Sequence, residues 1–307
     1  MSEPLFSILI AHYNHGAFFK DCFRSILEQT YNHFEVIIVD DCSTDNSAVV
    51  IQQMIANDPR FSLFVNKINY GCGYTKRRCA ELAKGEICGF LDPDDVLVPT
   101  ALEKMVWAHR QFPETSFVSS KYIKVDLQLN FMSFGLSGDT IPANHSYLTC
   151  GKGPTHFATF KNDYYKKTPG IDPSFKRSVD QDLYYKLEEV GSHYFLKEYL
   201  YHYRINSQSI SANENLHKAR YWHFKAQCNA YNRRRQMKTA ARNYSPSEYR
   251  TLQYTFYLNG YLRLSRTKKT SGKLYFLWKA FWANPIPLLR LIKSKVFKSL
   301  RVNVENS

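Results

Sequence analysis

The sequence predicts an α/β fold, a doubly wound and mostly parallel sheet followed by a helical, basic C-terminal extension. Three observations carry this. Short apolar runs alternate with helix-spaced stretches through residues 6–91. Polar or acidic clusters stand at the ends of three of those runs. Charge is also divided unevenly. Residues 1–207 hold 21 Lys/Arg against 24 Asp/Glu, near −3, whereas residues 208–307 hold 20 against 3, near +17.

Phe6 to Ala11 is an apolar run of strand length, and Phe19 to Gln29 places Phe19, Cys22, Phe23, Ile26 and Leu27 at helical spacing. Phe34 to Val39 is a second buried strand, followed by a helix from Ala48 to Ala56. Phe61 to Val65, a helix from Thr75 to Ala83, and Ile87 to Leu91 complete the alternation. Ligands of such sheets bind beyond the carboxyl ends of the strands. His12–Asn14, Asp40–Asp45 and Asp92–Asp95 all fall there, which predicts a pocket. Phe117–Val125 reads as a further strand, residues 131–152 as loops, and Gln181–Val190 as a helix stopped by Gly191. From residue 212 onward the chain reads as helical, aromatic and basic.

The 307 residues suit one large domain with an appendage. Seven cysteines, an odd number without a CxxC pair, argue against a disulfide framework or a zinc site and for reduced thiols. Glu3 and Pro4 stand where a signal peptide would carry cations, and Lys279 and Arg290 interrupt the best apolar stretch. The expectation is a cytoplasmic protein without a transmembrane helix.

Asp92, Asp94 and Asp95 crowd three carboxylates at a strand end. Like charges this close call for a cation or for solvent. A divalent ion, Mn2+ or Mg2+, holding a diphosphate is one solution, since both prefer oxygen ligands. The plainer alternative is a solvated turn capping a helix. Asp40 and Asp41 end the second strand, where a carboxylate can accept hydrogen bonds from a base or ribose, or Ser43 and Asp45 can merely cap the next helix. GxGxxG and GxxxxGK[ST] are both missing, which argues against dinucleotide-dependent dehydrogenases and P-loop NTPases.

These segments resemble the inverting family-two glycosyltransferases of the GT-A fold, of the bacterial surface-polysaccharide type. Ser7–Asn14 is similar to the family's opening strand. Gln29-Thr30-Tyr31 with Phe34–Asp45 is similar to its most recognisable segment. Asn69-x-Gly71, Ala83–Glu86 and Phe90–Asp95 follow in the same order, then Asp180-Gln181-Asp182-Leu183, Tyr203-Arg204 and Ser209-Ile210-Ser211. The likeness spans roughly residues 4–211. It implies a GT-A catalytic domain over 1–211, with nucleotide-sugar binding in about 1–115 and the acceptor in about 116–211. The backbone at Ala11 and Tyr13, with Asp41, would hold the base, usually uracil. Asp92 would contact ribose or metal, Asp94 would bind the metal on the diphosphate, and Asp180 would be the general base. Lys76 would stand for the Arg of the family's Ala-Arg-Asn triplet, read here as Thr75-Lys76-Arg77, without the guanidinium fork. Val179 replaces the usual Glu before the base. Asn206 replaces a His that can join the metal shell, with His202 as a nearby substitute. Asp180 as a helix cap is the competing reading, and Asp182 the alternative base. His156 and Asp172 are candidates to touch the acceptor.

The implied reaction moves a sugar from a nucleoside-diphosphate donor to a hydroxyl of a glycan or lipid-linked acceptor. A nucleotidyltransferase on a similar sheet and a non-catalytic glycan-binding relative are the rivals. His12-Tyr13-Asn14, where the first would carry a Gly-rich basic signature, and the complete acidic set argue against them. In the region 212–307, Leu274–Val296 interleaves aromatic and aliphatic residues with Lys279, Arg290, Lys293 and Lys295. Such helices lie on anionic membrane surfaces, which predicts a peripheral protein on the inner face of the plasma membrane. The alternative is a helix packing on the domain. Arg233-Arg234-Arg235 has no nucleic-acid module beside it, so no nucleic-acid partner is expected.

Overall fold

The first apolar run forms β1 (Phe6–His12), buried along nearly its whole length as a central parallel strand must be. The computed structural model describes residues 3–136, 138–142, 145–150, 153–154, 156–206, 216–237, 245–265 and 270–289. After β1 come α1 (Gly16–Leu27), β2 (Phe34–Asp40), α2 (Ser47–Ile55), β3 (Phe61–Val65), α3 (Cys72–Leu82) and β4 (Ile87–Phe90). Then follow β5 (Val96–Leu97), α4 (Ala101–Gln111), β6 (Thr115–Val125), β7 (Phe131–Phe134), α5 (Tyr147–Cys150), β8 (Ala158–Lys161) and α6 (Asn162–Lys166). The last elements of this part are α7 (Val179–Glu188), β9 (Ser192–Arg204) and α8 (Leu216–Gln236).

The strands form one sheet in the order β3-β2-β1-β4-β8-β6-β9-β5, with β7 on β6. The half built from β3, β2, β1 and β4 is entirely parallel. Its core lies where Ile8, Ile10, Val36 and Ile38 meet Phe19, Cys22 and Ile26 of α1. Antiparallel strands enter only beyond β4, through β8, β7 and β5. All three expected polar clusters therefore sit at carboxyl ends of parallel strands.

Several boundaries differ from those read in the sequence. α3 begins earlier, at Cys72, because Gly71 turns the chain with φ 91°, a conformation open to glycine. Gly73 lies so close to the Asp172 carbonyl that a Cβ would approach it to 2.7 Å. α7 begins at Val179, which puts Asp180 in its first turn. The expected loops of 131–152 include β7 and α5.

Contacts divide the chain into two units, Met1–Arg242 and Asn243–Ser307. The first unit thus continues past residue 211, the expected boundary, and includes α8. Arg234 of α8 is 1% exposed. Its guanidinium donates to Glu188 at 2.8 Å, to the Tyr185 carbonyl at 3.1 Å and to the Ser146 hydroxyl at 3.1 Å. Arg233 bonds Glu189 at 2.9 Å. Two cations of the Arg233–Arg235 run are thus bound to the fold rather than turned to an anionic partner. Removing one member of a buried ion pair strands the other. Arg234→Ala should therefore lose about 3–5 kcal/mol of stability, the usual cost of such a break, as measured by denaturant unfolding.

The second unit holds α9 (Pro246–Ser265) and α10 (Thr270–Ala283). Ser245 and Glu248 form a reciprocal cap at the start of α9. The Ser245 amide donates to the Glu248 carboxylate at 2.6 Å, and the Glu248 amide donates to the Ser245 hydroxyl at 3.2 Å. Gly260 admits the ring of Phe276, which joins the two helices. Among the described residues no helix is long and apolar enough to cross a membrane. Lys293, Lys295 and Val296 of the expected amphipathic stretch, and Ser209-Ile210-Ser211, lie outside the described residues.

Candidate active site

The ends of β1, β2 and β4, the start of α3 and the start of α7 line one open cleft of about 480 Å³. Ala11, Tyr13, Asp41, Lys76, Asp92, Asp94 and Asp180 all stand on its wall. These seven expected residues and the candidate His156 share the cleft, whereas Asn206, His202, Asp172 and Asp182 do not line it.

Asp40 and Asp41 divide their tasks. Asp40 is buried beneath the cleft, 2.8 Å from His12 Nδ1, and it accepts the Ser43 amide at 2.8 Å. Burial would raise its carboxyl, but the bonds from His12 and Ser43 outweigh that and hold it below the usual carboxylate range. The Asp41 carboxylate accepts the amides of Tyr70 at 2.9 Å and Gly71 at 2.7 Å, and the Asn66 side chain at 2.8 Å. It ties the loop before α3 to the end of β2. Oδ2 receives one of these bonds and keeps acceptor capacity for a ligand.

Beyond β4, the three carboxylates have different partners. Asp95 is buried and accepts the Tyr201 hydroxyl at 2.7 Å and the Arg204 amide at 2.7 Å. Burial, with Asp94 and Asp92 nearby, nevertheless pushes its carboxyl well up. Arg204 donates to the Asp94 carbonyl at 2.7 Å and to Asp21 at 2.7 Å, pinning the turn from β9. Asp92 meets Lys76 Nζ at 3.2 Å. Burial would raise the Asp92 carboxyl and lower the lysine, but each charge overcomes the effect on the other: Asp92 lies below its ordinary value and Lys76 above. Asp94 accepts no hydrogen bond from another described residue. Burial and the Asp92 charge push its carboxyl up.

Among the described residues, no group of three His, Cys, Asp or Glu is ready-made for a metal. Two carboxylates are nevertheless a fitting donor set for Mg2+ or Mn2+, which commonly take one or two protein carboxylates and complete their shell with water and substrate phosphates. The crowded negative charge on Asp94 is what a cation there would relieve. Neither Asn206 nor His202, the expected completions of the shell, stands on the cleft wall. Asn206 is buried, and His202 sits within the β9 pairing with Val96. Two other histidines, His15 and His156, are on the wall.

Asp180 is not the helix cap. Ser178 holds that position, in the left-handed conformation with φ 54°. The Asp180 carboxylate accepts no hydrogen bond from another described residue. Asp182 is instead buried, 2.5 Å from Lys186 Nζ, and off the cleft wall. Lys76 faces the cleft, while Arg77 turns away to Glu81 at 2.7 Å and the Ile171 carbonyl at 3.1 Å. Asp172 is off the wall and accepts the Ser174 amide at 2.9 Å.

Sequence reasoning missed His15, Tyr70, Lys176 and Arg177, all on the wall. The Lys176-Arg177 pair just before the acidic segment was a usable signal, since an anionic ligand needs cations near it. Tyr70, 44% exposed and stacked on Tyr74 with ring centroids 4.3 Å apart, carried no pattern.

A parallel half-sheet with acidic clusters at its strand ends, closed by antiparallel strands, is the layout of a GT-A domain. The chain belongs to glycosyl transferase family 2, whose model matches residues 7–168. It is 31% identical over 208 residues to a chondroitin synthase of Escherichia coli, covering 68% of this chain and 30% of that protein. The chain therefore spans less than a third of that relative. Staphylococcus aureus TarS residues 1–349, in complex with UDP, superposes with a TM-score of 0.64 at 17% identity, covering 92% of this chain and 82% of that one. A mannosyltransferase of Pyrobaculum calidifontis, in complex with GDP-Man and Mn2+, superposes with a TM-score of 0.57 at 14% identity, covering 98% and 81%. At these identities the superpositions show the fold alone.

Proposed function

We propose that this chain is an inverting glycosyltransferase of polysaccharide biosynthesis. It moves a sugar from a UDP-linked donor to a hydroxyl of a glycan or lipid-linked acceptor. The observation that carries this reading is the meeting of Asp41, Asp92, Asp94, Lys76 and Asp180 on one cleft wall. The UDP complex of TarS and the synthase relative support the donor class, and the Mn2+ complex of the mannosyltransferase supports a metal in such a fold.

In this reading, Ala11, Tyr13 and Asp41 hold the base, and Asp92 and Asp94 would hold Mn2+ or Mg2+ on the diphosphate. The bound ion supplies charge neutralisation for the leaving diphosphate. Lys76 adds a fixed positive charge beside Asp92, and Lys176 and Arg177 add more at the wall. Asp180, with its carboxylate unengaged, takes the proton of the attacking hydroxyl. One displacement assisted by one base inverts the anomeric centre. Incubation with a panel of α-linked UDP-sugars and Mn2+ should yield β-linked product, read from the anomeric proton coupling by NMR. An α-linked product would overturn the inverting assignment.

The basic second unit fits an anionic lipid surface. On α10, Trp278 is 56% and Trp282 68% exposed, and Lys279 lies over the rings of Tyr275 and Trp278. Aromatic side chains and cations on one helix are the composition of an interfacial anchor. Each cation near the surface adds about 1 kcal/mol, which salt screens, while the apolar contribution persists. Binding to phosphatidylglycerol vesicles should weaken in high salt without vanishing, and Trp278→Ser with Trp282→Ser should weaken it further. Equal binding by the double variant and the parent would rule out α10 as the anchor.

A further inference from the structure

We infer that the first half of α8, together with Lys176 and Arg177 at the cleft wall, is the track on which a polyanionic glycan acceptor lies. Its carboxylates or phosphates would be held by cations and its sugar rings by aromatic faces. This rests on the glycosyltransferase reading above. Lys176 and Arg177 stand on the wall just before Asp180. The segment that carries them is fixed on both sides. The Gly73 amide of α3 donates to the Phe175 carbonyl at 2.9 Å, and the Ser178 hydroxyl donates to the Ala219 carbonyl of α8 at 3.3 Å. Phe175 packs on Trp222 with ring centroids 5.0 Å apart, and Lys225 Nζ lies 5.0 Å from the first ring and 4.6 Å from the second. The Asp180 charge also reaches this helix. Buried His223, 3.0 Å from the Tyr185 hydroxyl, lies below its ordinary value because burial outweighs the pull of that carboxylate. Cleft wall and α8 thus adjoin within the first unit.

The charge on α8 is one-sided, since it has no Asp or Glu from Leu216 to Gln236. Arg233 and Arg234, in its last turn, are engaged by Glu189 and Glu188. Arg220 and Lys225, in the first half, form no ion pair with a described residue, and neither does Lys176. The Lys225 charge reaches Asp172, whose carboxylate already accepts the Ser174 amide at 2.9 Å. Arg220 is exposed, as is Tyr221, which stands edge-on to Trp222 with centroids 5.8 Å apart. Arg220 and Lys225 are off the cleft wall, so a donor diphosphate in the cleft does not account for them. Cations interleaved with rings suit a polymer that presents anionic groups and the apolar faces of its sugars in turn. A chain whose reactive end meets Asp180 leaves the cleft across an adjoining surface, and this one carries the matching charge.

The test is calorimetric titration of the full chain, at low salt, with an oligogalacturonate, its carboxyl-reduced neutral counterpart and a poly(glycerol phosphate) of matched length. UDP with Mn2+ is titrated separately. The parent should bind at least one anionic chain about tenfold or more tighter than the neutral one, and the preferred chain distinguishes carboxylate from phosphate. Arg220→Glu and Lys225→Glu should each lower that affinity about tenfold, because reversal replaces attraction by repulsion. Lys197→Glu, the same reversal at an exposed position on β9, should match the parent. Equal or undetectable binding of the three chains by the parent, or parental affinity in Arg220→Glu, would overturn the inference, while intact UDP binding would leave the donor reading standing. A parent that bound no UDP would remove the donor reading and the acceptor role together. Single-stranded DNA of matched charge bound as tightly, with the same loss in Arg220→Glu, would make the surface a general polyanion contact and overturn the inference. So would weakened binding of Arg220→Glu to phosphatidylglycerol vesicles with its glycan affinity unchanged, which would make it a lipid contact.

Discussion

Asp180→Asn should lower sugar transfer by about 10²–10⁴-fold while leaving donor binding and folding near those of the parent. That loss corresponds to roughly 2.7–5.5 kcal/mol of transition-state stabilisation. Asparagine keeps the size of the side chain but removes its ability to accept a proton. The fold should tolerate the change, because the Asp180 carboxylate accepts no hydrogen bond from another described residue and the cap position of α7 belongs to Ser178. Asp182→Asn provides the contrast. It breaks the buried pair with Lys186 and should act on stability, with transfer falling only as folded protein is lost. The checks are initial rates at saturating donor and thermal melts of both variants. Near-parental transfer by a well-folded Asp180→Asn would remove Asp180 as the base.

Asp94→Ala should abolish the metal dependence of donor binding. In the parent, affinity for UDP-sugar should be at least about tenfold higher with Mn2+ than with EDTA. In the variant the two values should coincide. Asp94 is the right position to test because its side chain does not hold the fold together. Asp95, one residue on, anchors Tyr201 and Arg204, and its loss would confuse binding with unfolding. Calorimetry with and without metal decides the matter, and equal parental affinities in the two conditions would sink the metal proposal.

The parts legible in the sequence are those governed by local pattern. β1, β2 and β4 are apolar runs because both faces of a central parallel strand are buried, and a polar cluster after such a run must emerge at the strand's end. That logic places Asp41, Asp92 and Asp94 at the carboxyl edge of the sheet. β9 was less visible because Ser192–Arg204 mixes Tyr, His, Lys and Glu, and its place beside β6 depends on distant partners. Nothing local to the Arg233–Arg235 run marks Arg234 as buried, because its partners Glu188 and the Tyr185 carbonyl lie more than forty residues earlier in the chain. A lone His15 has no periodicity or spacing to report it; only its proximity to Asp94 does.

Arg204 closes the acidic turn from the far end of the domain. Its guanidinium reaches Asp21, the Asp94 carbonyl and the Leu127 carbonyl, and its amide holds Asp95. These contacts join segments 77 to 183 residues apart, so the ordering of loops this long must precede the reward. During synthesis, the strands before residue 100 can pair while Asp95 still lacks both Tyr201 and Arg204. A polypeptide ending at residue 168, where the family match stops, would keep Asp92, Asp94 and Asp95 yet lack both Tyr201 and Arg204, the partners of Asp95. The arrangement of the acidic turn thus depends on β9, and a fragment that keeps these contacts must include residue 204.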